Sequence, residues 1–148
     1  MLLLLLTLPA AVHAQFKYTT EGGTVTITGY TGPGGAVTIP DTIDGLPVTS
    51  IGSWAFAYCP SLTNVTMGAG VTSVGGWAFA YCPGLVNATL GAGVTNLGKS
   101  VFSECASLTS IVIPDGVVSI ESYAFHGCSS LTNVTLGTEV NSIGALAF

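Results

Sequence analysis

Charge is scarce in this sequence, and one charged residue type is missing altogether. There is no arginine. The cations are Lys17 and Lys99, set against seven Asp and Glu for a net charge of −5. A basic footprint able to neutralise phosphates is absent, which excludes nucleic acid as a partner. No polybasic stretch is present to hold an anionic membrane surface. The acids are few and scattered, and serve solubility. Histidine is almost as rare, with His13 and His126 the two examples. His126 has no acid or nucleophile at a recognisable spacing, and the abundant Ser and Thr lack a base. The glycines do not form a strand-to-helix phosphate loop with a following Lys. No uninterrupted apolar run reaches the ~18 residues of a membrane-spanning helix. These absences point away from catalysis: not an enzyme, no cofactor, no metal, no transmembrane segment.

Apolar residues are plentiful, and their distribution is informative. Met1 to Leu6 is almost pure Leu, followed by Pro9, Ala10 and the small-residue pattern Val12-His13-Ala14. This reads as a secretory signal over residues 1–14, cut after Ala14, although the usual positive n-region is missing. The mature chain is then expected outside the cell or on its surface.

The rest of the chain repeats itself. Cys59, Cys82, Cys105 and Cys128 recur every 23 residues. Phe56, Phe79, Phe102, Phe125 and Phe148 keep the same register, as do Leu62, Leu85, Leu108 and Leu131. Val48, Val71, Val94, Val117 and Val140 form a further column, and no insertion breaks any of them. A fixed period in this range is the signature of a solenoid. Within one unit, Val65 and Met67 alternate as in a short strand with one buried face. Trp77, Ala78, Phe79 and Cys82 fit one turn of helix or a 3₁₀ turn. The predicted fold class is therefore an α/β solenoid of the leucine-rich-repeat type. It has 23-residue units, a parallel β-strand face, short helical or 3₁₀ turns on the other side, and an N-terminal β-hairpin cap. A lone unit buries too little to offset its ordering entropy, so the units must stack.

Residues 15–47 form the cap and an atypical first repeat. Phe16-Lys17-Tyr18-Thr19, Glu21-Gly22-Gly23 and Thr24 to Thr28 read as strand, tight turn, strand. Residues 48–148 carry the regular repeats, the last of them cut short at Phe148, where the pattern calls for a cysteine three residues on. The expectation is a fragment of something longer.

With these columns in view, the sequence resembles the BspA-like leucine-rich-repeat family of bacterial surface proteins. The resemblance rests on V-T-S-I-G (Val48 to Gly52), A-F-A-Y-C (Ala55 to Cys59), S-L-T-N-V-T (Ser61 to Thr66) and I-V-I-P-D-G-V (Ile111 to Val117), and covers about residues 36–148. Where ordinary leucine-rich repeats carry Asn after the strand, this chain has Gly70, Gly93, Gly116 and Glu139. The resemblance implies an exported, displayed protein that binds, with adhesion to host proteins or other cells as the expected activity. It does not supply a ligand.

Three sets of residues are candidates for function or structure. In a secreted chain an even number of cysteines suggests disulfides. Cysteines in one column of a stack have parallel Cβ vectors, however, and Cβ separations a little too long. A buried column of free thiols is the favoured reading of Cys59, Cys82, Cys105 and Cys128, packed with the Phe and Leu columns. Four ligands strung on a line also cannot surround a zinc ion. Trp54, Tyr58, Trp77 and Tyr81 lie in variable columns on two adjacent rungs. They form an aromatic patch suited to a protein hot spot or to sugar rings, unless local packing leaves only ring edges wet. Thr66, Thr89 and Thr135, with Val112 in their column, line the outward strand face. They suit glycan or ice binding, or simply an exposed strand. The N-x-T sequons at Asn64, Asn87 and Asn133 come with the repeat and are not read as glycosylation sites. The expected function is a secreted or cell-surface binding protein that contacts an extracellular protein. The alternatives are an architectural spacer, or glycan or ice binding by the Thr face.

Overall fold

The computed structural model describes residues 14–148; the expected signal segment falls almost wholly outside them. The strands are β1 (Phe16–Glu21), β2 (Thr24–Tyr30), β3 (Gly35–Thr38), β4 (Thr42–Ile43), β5 (Leu46–Ile51), β6 (Leu62–Thr66), β7 (Ser73–Val74), β8 (Asn87–Thr89), β9 (Asn96–Leu97), β10 (Ser110–Val112), β11 (Ser119–Ile120), β12 (Asn133–Thr135) and β13 (Ser142–Ile143). The chain coils as a β-solenoid, and its strands stack into walls of parallel neighbours. One wall runs β3-β6-β8-β10-β12, and a second runs β2-β5-β7-β9, with β11 and β13 pairing farther along. The registers place like on like: Asn64 opposite Asn87, Thr66 opposite Thr89, Val74 opposite Leu97, Ile111 opposite Val134.

The entry to the stack is an antiparallel hairpin. Its β1–β2 turn is Gly22-Gly23, both at positive φ, +57° and +78°. Two left-handed residues make the turn whose twist suits a two-residue hairpin. β2 then pairs in parallel with β5, so the hairpin continues the second wall and occupies its first edge. A smaller hairpin joins β4 to β5 through Asp44-Gly45, with φ +51° and +78°.

The third wall departs from expectation. Between the second wall and the next rung, the predicted helical or 3₁₀ turn gives way to a run of stacked turns, and the described residues contain no helix. Each stretch opens and closes on a left-handed residue: Trp54 and Tyr58 at φ +63° and +58°, Trp77 and Tyr81 at +55° and +58°, Ser100 and Glu104 at +56° and +61°. Such a residue turns its amide out of the helical direction. The Trp54, Phe56 and Tyr58 amides accordingly donate to the Gly76, Ala78 and Ala80 carbonyls one rung on, at 3.1, 2.7 and 3.0 Å. Trp77, Phe79 and Tyr81 do the same to Lys99, Val101 and Ser103. A helix would satisfy these groups within the rung; here they bind rung to rung and make a third hydrogen-bonded wall.

The core lies between the walls. Phe56, Phe79, Phe102 and Phe125 are fully buried and stack face to face, with successive centroids 4.9, 5.3 and 5.7 Å apart. Phe148 continues the column at 5.2 Å. At the other end Tyr30 of the hairpin stacks on Phe56 at 5.1 Å, with Phe16 edge-on to the same ring. The hairpin thus supplies an aromatic lid for the first rung. Leu62, Leu85 and Leu108 are fully buried, whereas Leu131 is only partly so. Leu131 faces an apolar recess of about 360 Å³ in the last rungs, shared with Phe125, Cys128 and Phe148.

Candidate functional site

The cysteine column is a chain of thiol contacts. Cys82, Cys105 and Cys128 each donate an S–H to the carbonyl of the Phe before the preceding cysteine, Phe56, Phe79 and Phe102, all at 3.1 Å. The four are free thiols. Burial pushes Cys105 up to about 12 and Cys128 up to about 11. Cys59 opens the column and is half-buried rather than enclosed, because no earlier thiol rung covers it. Hydrogen bonding with the neighbouring Cys82 thiol favours the Cys59 thiolate and draws that thiol down to about 7. The same contact and burial hold Cys82 well above the ordinary thiol range. This column organises the interior, with Cys82, Cys105 and Cys128 enclosed and Cys59 partly accessible at its start. Among the described residues, no group of three or more His, Cys, Asp or Glu is placed to hold a metal ion.

The outer face of the turn wall carries the aromatic candidates. Trp54 and Trp77 stack at 5.0 Å with an interplanar angle of 1°. Tyr58 and Tyr81 stack at 4.7 Å and 2°. Trp54 and Tyr58, on one rung, lie parallel at 6.3 Å. The four candidates therefore come together as two parallel ladders. Left-handed backbone at each of these positions aims the rings outward, and the rung repeat sets their separation. Face-to-face stacking along the axis covers one face of each ring, so the patch presents ring edges and the outer faces of the two pairs. Trp54, Tyr58 and Tyr81 are exposed and Trp77 is half-buried.

Lys99 was not singled out from sequence, and His126, read there as having no acid at a recognisable spacing, meets Glu104 from the preceding rung. Lys99 places Nζ 5.7 Å from the Trp77 ring centroid and 5.5 Å from that of Tyr123, a cation between two rings. A Lys beside Ser100, where the aromatic column lapses, was the available signal. His126 packs edge-on to Tyr123 at 5.6 Å, and its Nδ1 lies 3.4 Å from Glu104 Oε1. Beside the Tyr ladder runs an open groove of about 440 Å³, lined by Tyr58, Pro60, Tyr81, Pro83, Glu104 and Ala106.

The strand face holds the threonine candidates. Thr66, Thr89 and Thr135 are exposed. Thr38 of β3 extends the column through its register with Thr66. The Asn87 side-chain amide donates to Asn64 Oδ1 at 2.8 Å, so the amide row beside the threonines is partly bonded to itself. No helix among the described residues is long and apolar enough to cross a membrane.

A family profile described as the BspA type leucine rich repeat region matches residues 36–148 in six copies. Solved structures resemble the chain at similar identity. A leucine rich repeat protein of T. pallidum shares 27% identity at a TM-score of 0.63, over 92% of this chain and 85% of that one. A leucine rich cell surface protein of Faecalibacterium prausnitzii shares 28% at 0.71, over 90% of this chain and 44% of that one. A leucine-rich repeat protein of Bacteroides capillosus shares 27% at 0.69, over 82% and 94%. No curated protein matches.

Proposed function

This chain belongs to the BspA-type leucine-rich-repeat family, and on that premise we propose that it is a secreted or surface-displayed, non-catalytic protein that adheres to extracellular proteins through its turn wall. The observation that carries the reading is the pair of parallel aromatic ladders at Trp54, Trp77, Tyr58 and Tyr81. Large apolar side chains held outward on a rigid hydrogen-bonded wall lose little conformational freedom on binding, which is what an interface anchor requires. The open groove alongside gives a partner somewhere to seat. A cell-surface relative of similar fold supports the location. The test is binding of the chain to a panel of extracellular-matrix proteins, beside a Trp54→Ala/Trp77→Ala variant. Specific binding that the double variant loses, with its circular dichroism intact, supports adhesion at this wall. Equal binding by both moves the site elsewhere, and no binding by either removes the adhesive reading.

A second reading concerns the strand face. Thr38, Thr66 and Thr89 stand in direct register, a spacing suited to a regular polysaccharide or ice. Replacing Thr66, Thr89 and Thr135 with Tyr abolishes binding on this reading and leaves it intact on the first.

A further inference from the structure

The two aromatic ladders end differently, and the difference defines a site. The Trp ladder stops at Trp77 because Ser100 occupies the next place in its column. The gap is filled from within: Lys99 sets its ammonium between the Trp77 and Tyr123 rings. The Tyr ladder stops at Tyr81 because Glu104 comes next. No lysine or arginine plays the part of Lys99 there, since the chain has no arginine and its other lysine lies in β1. Glu104 also leans away from Tyr81. Its carboxyl lies over Gly127, where an added Cβ would stand 2.7 Å from the Glu104 Cδ. The far face of the Tyr81 ring therefore opens onto the groove, with a carboxylate beyond it.

We propose that the end of the Tyr ladder, between Tyr81 and Glu104, receives the guanidinium of an arginine on a partner protein. The proposal deepens the reading of the turn wall as a protein-binding surface and rests on it. The groove matches an arginine along its length. Tyr58, Tyr81, Pro60 and Pro83 all line it, apolar surfaces that accommodate a three-methylene stem. The planar guanidinium is weakly hydrated and stacks on an aromatic face, whereas an ammonium holds its water more tightly. At its far edge it meets Glu104. His126 Nδ1 engages Oε1 of that carboxylate, which leaves Oε2 to accept from the incoming N–H groups. The negative net charge of the chain favours a cationic partner group.

The test is an NMR titration of the full chain with N-acetyl-arginine N-methylamide, beside the matching citrulline compound, which keeps the shape and lacks the charge. The expected result is saturable shifts centred on Tyr81 and Glu104 in the low-millimolar range, with citrulline at least about tenfold weaker. Glu104→Gln keeps the side-chain shape at an exposed position and is expected to weaken the arginine probe by about tenfold while the rest of its spectrum superimposes on the parent. Equal binding of citrulline, an unchanged Glu104→Gln, or shifts centred elsewhere overturns the proposal. No matrix protein takes part. A failed titration therefore removes the arginine site without touching adhesion, and failed adhesion leaves a successful titration standing.

Discussion

The turn wall is built from left-handed residues that are mostly not glycine, and this can be measured at Glu104. A non-glycine residue pays about 1–2 kcal/mol to hold that conformation, because its Cβ crowds the following carbonyl. Position 104 is suited to the test because one rung later its column carries Gly127 at φ +76°, so the backbone of the wall already accepts glycine there. Two variants are needed, Glu104→Gly and Glu104→Ala. Both delete the carboxylate and its contact with His126, so those losses cancel in the comparison. What remains is the strain released by glycine, less the extra unfolded-chain entropy of glycine, about 0.5–1 kcal/mol. The glycine variant is expected to be more stable than the alanine variant by about 1 kcal/mol. For a chain of this length that difference raises Tm by about 3 °C. Urea and thermal unfolding followed by circular dichroism measure it directly. An alanine variant as stable as the glycine one would falsify the account of the wall, since an ordinary helical or 3₁₀ turn at this position favours alanine.

Other consequences follow from the core and the thiols. Phe79→Ala empties a fully buried site between two stacked rings and is expected to cost about 3–5 kcal/mol in urea unfolding; Phe79→Leu, which keeps most of the volume, should cost clearly less, and equal losses would argue against ring packing as the cause. Iodoacetamide at pH 8 should label Cys59 first, because its thiol is half-buried and drawn to about 7, and peptide mass spectrometry showing Cys105 or Cys128 labelled equally fast in the native state would contradict this. The alkaline limb of stability follows from Cys105: its ordinary value is 9.0 and the fold raises it to about 12, so between those values the native state binds more protons than the unfolded chain. Stability therefore falls as pH rises through that window, and Cys105→Ala should make the fall shallower in pH-dependent urea titrations.

The stacked architecture was legible because stacking forces like residues onto like positions. A solenoid core is a set of columns, and a period in Phe56, Phe79, Phe102 and Phe125 or in Leu62, Leu85 and Leu108 is visible without any structure. The hairpin was legible too, since Gly22-Gly23 between alternating residues is a turn with a known geometry. The third wall was not. A spacing of Trp77, Ala78, Phe79 and Cys82 fits a helical turn and a stacked left-handed turn equally well. What separates them is the sign of φ at Trp77 and Tyr81, residues for which a positive φ is unusual. Gly127 in the Tyr58 column was the one local hint. The aromatic candidates were found as a cluster, but their ring orientation depends on that same backbone sign, so the ladder and its covered faces lay beyond sequence reasoning.

Periodicity also explains why the candidate site lies where it does. In an unbroken ladder every ring offers its faces to its own neighbours, and the surface left to a partner is a row of edges. New recognition chemistry arises where a column changes residue type. At Ser100 the Trp ladder breaks, and Lys99 closes it from within. At Glu104 the Tyr ladder breaks, and the fold supplies a carboxylate, touched by His126, but no lysine or arginine. At Gly127 the same column loses its side chain, which gives Glu104 room to lean. Three departures from the repeat thus lie on the same wall within two adjacent rungs. The columns that never vary hold the solenoid together, and the columns that vary set what its surface presents. A family that keeps the first set and changes the second can present different surfaces on one scaffold, because each exposed position is anchored by a hydrogen-bonded rung that does not depend on its side chain.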